Sequence, residues 1–315
     1  MRAICIGALV LCCSVLGISQ ENPLPGQGFL DVPGGPVWYK VSGAGEGLPL
    51  LVLHGGPGGT SCGYSLLEKL GDQRSVVRYD QLGSGRSGRP DDLSLWEVSR
   101  FVEALHVIRE ELGLEKFHLL GHSWGAGLAG AYVLEKGTSG IASVIFSSPL
   151  LSTPLWIEDA NYLRSQLPRE VQETLARHEV AGTIDSAEYK VATDVFYDRH
   201  VTRGKPQEPT YDCEGAPWNP VVYEYMWGPT EFYATGNLLD FDVTGQLDEI
   251  DVPVLFITGE FDEARPVTIA RFQRLVPGSK MTVIMGAGHS TLSRKPVQYR
   301  KIVENFLDSI ENKKQ

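Results

Sequence analysis

Three short stretches of this chain carry residue types that together could perform acyl transfer through a covalent intermediate. Gly121-His122-Ser123-Trp124-Gly125 sets a serine between glycines, directly after the apolar run 117–120 and directly before a Gly/Ala-rich helical start. That context matches a nucleophile elbow, a strained strand-to-helix turn whose flanking glycines let neighbouring backbone approach where no side chain would fit. The amide of Trp124 is then expected to point at the reacting oxygen. A serine hydroxyl is a weak nucleophile, so it needs a base, and the base needs an orienting acid. Both candidates follow at predicted strand ends: Asp262 in Gly259-Glu260-Phe261-Asp262-Glu263, and His289 in Gly286-Ala287-Gly288-His289. Glu260 is a rival orienter. Asp262 is the expected acid because it sits a little past the strand end, where the loop can turn toward His289. The run His54-Gly55-Gly56-Pro57-Gly58-Gly59 follows another apolar stretch, 50–53, at the position from which a second backbone N–H can reach a developing oxyanion.

These residues need a scaffold that brings strand ends together. Short apolar runs ending in Gly alternate with amphipathic stretches, the pattern of a mostly parallel sheet with crossover helices. An antiparallel pair is expected around 29–41, followed by strands at 50–53, 75–79, 117–120, 142–146, 252–258 and 281–285. Phe101, Ala104, Leu105, Ile108 and Leu112 repeat at three and four, as do Tyr299, Ile302, Val303, Phe306, Leu307 and Ile310, so both stretches read as core-facing helices. The alternation breaks over 152–243, where helical pattern persists and Trp218, Tyr223, Tyr225, Trp227, Phe232 and Tyr233 crowd together. This segment reads as a helical cap inserted into a core formed by 20–151 and 244–315, and its aromatic residues as packing that can also line a pocket.

Composition narrows the partners. Lys plus Arg number 28 against 39 Asp plus Glu, giving a formal charge of −11 that would repel phosphate backbones, so no nucleic-acid partner is expected. No histidine pair has metal-ligand spacing, so neither a metal nor a cofactor is expected. His106, His118, His178 and His200 have no evident partner in the sequence, and His122 is expected to point away from the site. Residues 1–19 combine Arg2, an apolar run 3–16 and small residues Gly17 and Ser19, the layout of a signal peptide with cleavage expected after Ser19; retention as an uncleaved anchor is the alternative. A secreted or periplasmic location follows, with no stable membrane association after cleavage. Leu11 and Cys12 precede Cys13 where lipidation would want small residues. Of 5 cysteines, only Cys62 and Cys213 remain in the expected mature chain; pairing and two free thiols are both open.

The runs His54-Gly55-Gly56-Pro57-Gly58, Asp80-Gln81-Leu82-Gly83-Ser84-Gly85-Arg86-Ser87 and Gly121-His122-Ser123-Trp124-Gly125 resemble the proline iminopeptidase (prolyl aminopeptidase) family of α/β-hydrolases over nearly the whole expected mature chain. Leu82 and Ser84 depart from the residues common in that family, Arg and Cys. The chain order Ser123, Asp262, His289 also fits the α/β-hydrolase order. The resemblance implies a serine aminopeptidase with Ser123, Asp262 and His289 as triad and Gly56 and Trp124 as oxyanion amides. It also implies Glu231, in Gly228-Pro229-Thr230-Glu231-Phe232, and Glu263 as carboxylates holding the free N-terminal amine of a short peptide or amino-acid amide. Two alternatives stand beside it: an esterase or amidase for small acyl compounds, and a noncatalytic binding protein on the same scaffold.

Overall fold

Runs of aliphatic and β-branched residues become strands here because both of their faces find apolar partners. The computed structural model describes residues 22–312, so the expected signal peptide lies outside the described residues. Seven strands form one sheet: β1 (Gly26–Val32), β2 (Gly35–Leu53), β3 (Arg74–Tyr79), β4 (Phe117–His122), β5 (Ile141–Ser147), β6 (Val254–Gly259) and β7 (Lys280–Ile284). Their order is β1-β2-β4-β5-β6-β7, with β3 also paired to β2. The β1–β2 and β2–β3 pairings are antiparallel, whereas β2–β4, β4–β5, β5–β6 and β6–β7 are parallel. Every residue of β3, β5 and β6 is buried, as expected of strands covered on both faces.

The side-chain period of two divides the core. Leu51, Leu53, Leu119, Val144, Phe146 and Phe256 face one apolar cluster. Leu50, Val52, Leu120, Ile145, Leu255 and Ile257 face the other. On the first side lie α1 (Val98–Glu111), α2 (Trp124–Lys136) and α7 (Pro266–Leu275); on the second, a 3-10 segment Ser61–Leu70 and α9 (Pro296–Glu311). Both periodic helices expected from sequence, near 101–112 and 299–310, thus exist and face the core. Between β5 and β6 come α3 (Thr153–Ser165), α4 (Arg169–Ala181), α5 (Ala187–Phe196) and α6 (Pro220–Met226), and a short α8 (Thr291–Arg294) precedes α9. Residues 160–232 carry a third apolar cluster built on Leu163, Leu175, Tyr189, Phe196 and Phe232. The two ends of the inserted segment meet where Ser152 bridges Asp242 and its hydroxyl donates to Asp242 Oδ2 at 2.8 Å.

One expected boundary dissolves. The antiparallel hairpin and the strand at 50–53 are joined in the single strand β2, whose register with β3 shifts between Ser42 and Val52. Glycines at 43 and 45 absorb the irregularity: a Cβ at either would lie 2.0–2.2 Å from the backbone of the loop 71–73. Cys62 and Cys213 form a disulfide with Cα atoms 5.1 Å apart, tying the 3-10 segment to the loop before α6. Beside it Asp212 pairs with Lys40, Arg78 and Arg86.

Candidate active site

Ser123 lies between β4 and α2 with φ 56° and ψ −124°, a backbone region that side chains other than glycine seldom enter. The flanking glycines are required sterically. A Cβ at Gly121 would meet the Gly125 carbonyl oxygen at 2.2 Å, and a Cβ at Gly125 would meet that of Leu53 at 2.4 Å. Trp124 is the first residue of α2, so its amide is one of the N–H groups a helix start leaves without an intrahelical acceptor, at the positive end of the helix dipole. The glycine run after β2 passes against the elbow: a Cβ at Gly55 would come within 2.9 Å of Ser123 Cβ. Gly56 has φ +124° and precedes a cis peptide bond to Pro57.

Gln81 braces these two loops against each other. Its side-chain amide donates to the His54 carbonyl at 2.8 Å, its backbone N–H donates to His54 Nε2 at 2.9 Å, and its Oε1 accepts from Trp124 Nε1 at 2.9 Å. The preceding Asp80 accepts from the backbone and hydroxyl of Ser61 and from Arg86 N–H. The Asp-Gln pair thus fixes the loop carrying Gly56 relative to the helix start carrying Trp124.

His289 and Asp262 are brought together with Nδ1 and Oδ1 2.8 Å apart, both groups buried. Asp262 also accepts from Ser148 Oγ at 2.6 Å, from Gly259 N at 3.1 Å and from Ala264 N at 2.9 Å. Burial pushes the Asp262 carboxyl up, but the His289 ring and these donors outweigh it and hold it below the usual carboxylate value. Burial in turn favours neutral His289, and the Asp262 charge and hydrogen bond, aided by Glu231, more than reverse this and raise its pKa. The rival Glu260 accepts instead from Gly286 N–H at 2.8 Å, bracing the loop that leads to His289.

Glu263 is fully buried, with neither carboxylate oxygen hydrogen-bonded, and Oε1 lies 3.9 Å from His289 Nδ1. Burial, then the charges of Glu231 and Asp262, push its carboxyl well above the ordinary range. Glu231, half-buried on the loop after α6, is also raised, chiefly by burial. Its backbone is held at both ends: N–H donates to the Tyr197 hydroxyl at 3.2 Å and the carbonyl accepts from Trp156 Nε1 at 2.9 Å. Trp156 meanwhile stands edge-on to His289, ring centroids 5.5 Å apart.

A serine elbow, a buried His–Asp pair and two destabilised carboxylates beside them are the features against which known proteins can be compared. The family model described as the alpha/beta hydrolase fold matches residues 49–296. A proline iminopeptidase of Heyndrickxia coagulans is 46% identical over 288 residues, covering 90% of this chain and 99% of that protein. The chain belongs to the proline iminopeptidase family. A second relative so named, from Lactobacillus helveticus (strain DPC 4571), is 34% identical, covering 90% of this chain and 97% of its own. The crystal structure of the proline iminopeptidase of Mycobacterium smegmatis superposes with a TM-score of 0.82 at 34% identity, covering 92% of this chain and all of that one.

The histidines outside the triad are placed differently from expectation. His122 does not point away: its ring packs 4.7 Å from that of His289, its Nδ1 lies 3.1 Å from Ser147 Oγ, and burial together with His289 pushes its pKa down to about 3. The elbow turns the residue before the serine toward β5. His118 also has partners, Ser143 Oγ at 2.7 Å and Glu311 at 3.1 Å, as has His178, with Thr183 at 2.6 Å. His106 lies 3.3 Å from the Tyr132 hydroxyl. His200 supports the base directly, its carbonyl accepting from His289 N–H at 2.7 Å. Ser148, Gln81, Trp156 and His200 carry no signal of their own in the sequence; only Gln81 sits in a motif, Asp80-Gln81, that could have marked it.

Proposed function

We propose that the protein is a serine aminopeptidase that releases an N-terminal residue, proline or another small or hydrophobic residue, from short peptides or amino-acid amides through an acyl-enzyme. The single observation that carries this over a plain esterase is Glu263: a buried carboxylate without a hydrogen bond, facing Glu231, beside the base. Burying such a pair is costly unless a cation joins it, and a substrate ammonium supplies that cation. The names of the relatives supply the preference for proline.

In this reading, Glu231 and Glu263 hold the amine and so fix the first peptide bond over Ser123. His289 takes the Ser123 proton as the hydroxyl attacks the carbonyl, and Asp262 keeps the proton on Nδ1 so that Nε2 can act. The amides of Trp124 and Gly56 receive the oxyanion. His289 then returns the proton to the leaving amine, and water activated by the same ring hydrolyses the acyl-enzyme. The helical segment 152–243 serves as a cap, since it carries Glu231, Trp156 and Tyr197 over the strand ends. The apolar leader 1–19 and the Cys62–Cys213 disulfide support a secreted or periplasmic location.

The test is a panel of prolyl, alanyl and leucyl naphthylamides, each free or acetylated at the amine, with the parent protein and Glu231→Gln. Turnover confined to free amines and weakened in Glu231→Gln supports aminopeptidase action. Equal turnover of acetylated substrates would assign an esterase or amidase, and silence across the panel a binding protein.

A further inference from the structure

We propose that Ser148 is a positioning residue that holds Asp262 as the partner of His289 and thereby leaves Glu263 free for the substrate amine, an inference resting on the aminopeptidase reading. Two carboxylates flank the same imidazole nitrogen. Asp262 Oδ1 is 2.8 Å from His289 Nδ1 and Glu263 Oε1 is 3.9 Å from it. If the ring turned to Glu263, the carboxylate meant for the ammonium would be spent on the base. Something must fix the choice.

A count of protons shows what does. Asp262 Oδ1 is occupied by His289 and by Ala264 N–H. Oδ2 has three neighbours: Gly259 N–H at 3.1 Å, Thr258 Oγ1 at 3.1 Å and Ser148 Oγ at 2.6 Å. A hydroxyl has one proton to give. Thr258 Oγ1 lies closer to the Ala264 carbonyl, 2.8 Å, than to Oδ2, so its one proton is directed mainly to the carbonyl. Ser148 has the opposite preference, with Oδ2 at 2.6 Å and the His289 carbonyl at 3.4 Å. Ser148 therefore supplies the short, charge-assisted hydroxyl bond that sets the carboxylate plane.

The backbone makes the same point independently. Ser148 follows β5 at φ +45°, is fully buried, and donates its N–H to the Ile257 carbonyl at 2.6 Å. Left-handed backbone at such a site favours Gly or Asn, and a serine held there points to a use for its hydroxyl. Its neighbour Ser147 meets His122 Nδ1 at 3.1 Å, and the His122 ring packs on His289. The end of β5 thus contacts the acid through one serine and, through the other, the ring lying on the base.

Ser148→Gly adopts this φ without strain but loses Cβ with the hydroxyl, whereas Ser148→Ala loses only the hydroxyl, so the two variants are used together. Each is measured in the parent and in the Asp262→Asn background, with prolyl naphthylamide and with p-nitrophenyl acetate, which carries no amine. The expected result is a fall in kcat of about tenfold with both substrates, and little further fall once Asp262 is Asn, the non-additivity of residues acting as one unit. KM for p-nitrophenyl acetate should stay within about twofold, whereas KM for prolyl naphthylamide rises as Glu263 is drawn to the base. Equal losses in both backgrounds, or unchanged kcat, would overturn the inference. Activity on the acetate but none on any free-amine substrate in the parent would refute the aminopeptidase reading alone, leaving the cycle on the acetate to decide Ser148.

Discussion

Replacing Glu263 by Gln should make the protein more stable above pH 5 while removing most of its turnover of free-amine substrates. The carboxyl is fully buried, lacks any hydrogen bond, and is pushed well above the usual carboxylate range by burial and by Glu231 and Asp262. A raised folded pKa means that the native state binds the proton more tightly than the unfolded chain. Stability from this group is therefore complete below the unfolded value of about 4.3 and is lost as pH rises through the folded one, at about 1.4 kcal/mol for each pH unit between the two. Glutamine carries no charge and escapes that loss, although its buried amide still lacks partners. The gain is the ionisation loss that glutamine avoids, about 1–3 kcal/mol by one to two pH units above the unfolded value, which corresponds to roughly 1.5–5 °C in Tm for a chain of this size. The two unfolding curves should coincide near pH 4 and separate as pH rises, which thermal scans by circular dichroism from pH 4 to 9 would follow. Over the same range kcat/KM for prolyl naphthylamide should drop about 30-fold to several thousand-fold, the effect of deleting one member of a buried charge pair. A lower Tm for Glu263→Gln at pH 8, or a difference that does not change with pH, would mean that Glu263 is already neutralised by a partner and is no anchor.

The base gives a second pH test. Because Asp262 and Glu231 raise His289 against the effect of burial, activity should fall away on the acid side at a pH above the ordinary imidazole value of about 6.5; Glu231→Gln removes a negative neighbour and should move that limb to lower pH, read with p-nitrophenyl acetate. Ser123→Ala should reduce kcat by roughly 10⁴–10⁶-fold, and near-normal turnover would remove Ser123 as nucleophile. In Gly125→Ala the new Cβ would sit 2.4 Å from the Leu53 carbonyl oxygen, so the elbow must distort; loss of both activity and Tm is expected, and a wild-type melting curve would contradict the close approach. The Cys62–Cys213 bridge closes a separation of 151 residues, so the double serine variant should lose about 2–5 kcal/mol in urea unfolding, an unchanged midpoint counting against any such constraint.

How much of this was legible in the sequence depended on whether the signal was local. Strands at 117–120, 142–146 and 252–258 announce themselves because parallel strands buried on both faces must be apolar throughout. Gly121-His122-Ser123-Trp124-Gly125 is legible for a related reason: a turn so tight that its glycines touch carbonyl oxygens tolerates few other sequences. The hairpin and the strand at 50–53 looked separate because Gly43, Gly45 and Gly47 punctuate the run, yet glycine also builds the bulge that lets one strand bend through them. The contacts of His122, Ser148 and Trp156 are not legible in the sequence because their partners lie 25 residues away for His122–Ser147, 114 for Ser148–Asp262 and 75 for Trp156–Glu231. Nothing in their own neighbourhood encodes those contacts.

Asp262 and Glu263 bring the local and the distant together. They are adjacent carboxylates in one loop, and both are buried. Asp262 is ringed by donors from β6, from Ser148 and from His289, and its pKa falls; Glu263 meets no donor, and its pKa rises. Opposite environments for chemically similar groups are how one site assigns separate tasks to two acids. The lowered one can stay ionised to orient the base throughout a reaction, whereas the raised one gains most from a cation that arrives from outside. On the aminopeptidase reading the unfavourable burial of Glu263 would supply the selectivity: a ligand without an ammonium would leave that carboxyl unmatched, and one with an ammonium would relieve it. Selection for a stable fold alone would replace Glu263, so its presence in the core argues for use.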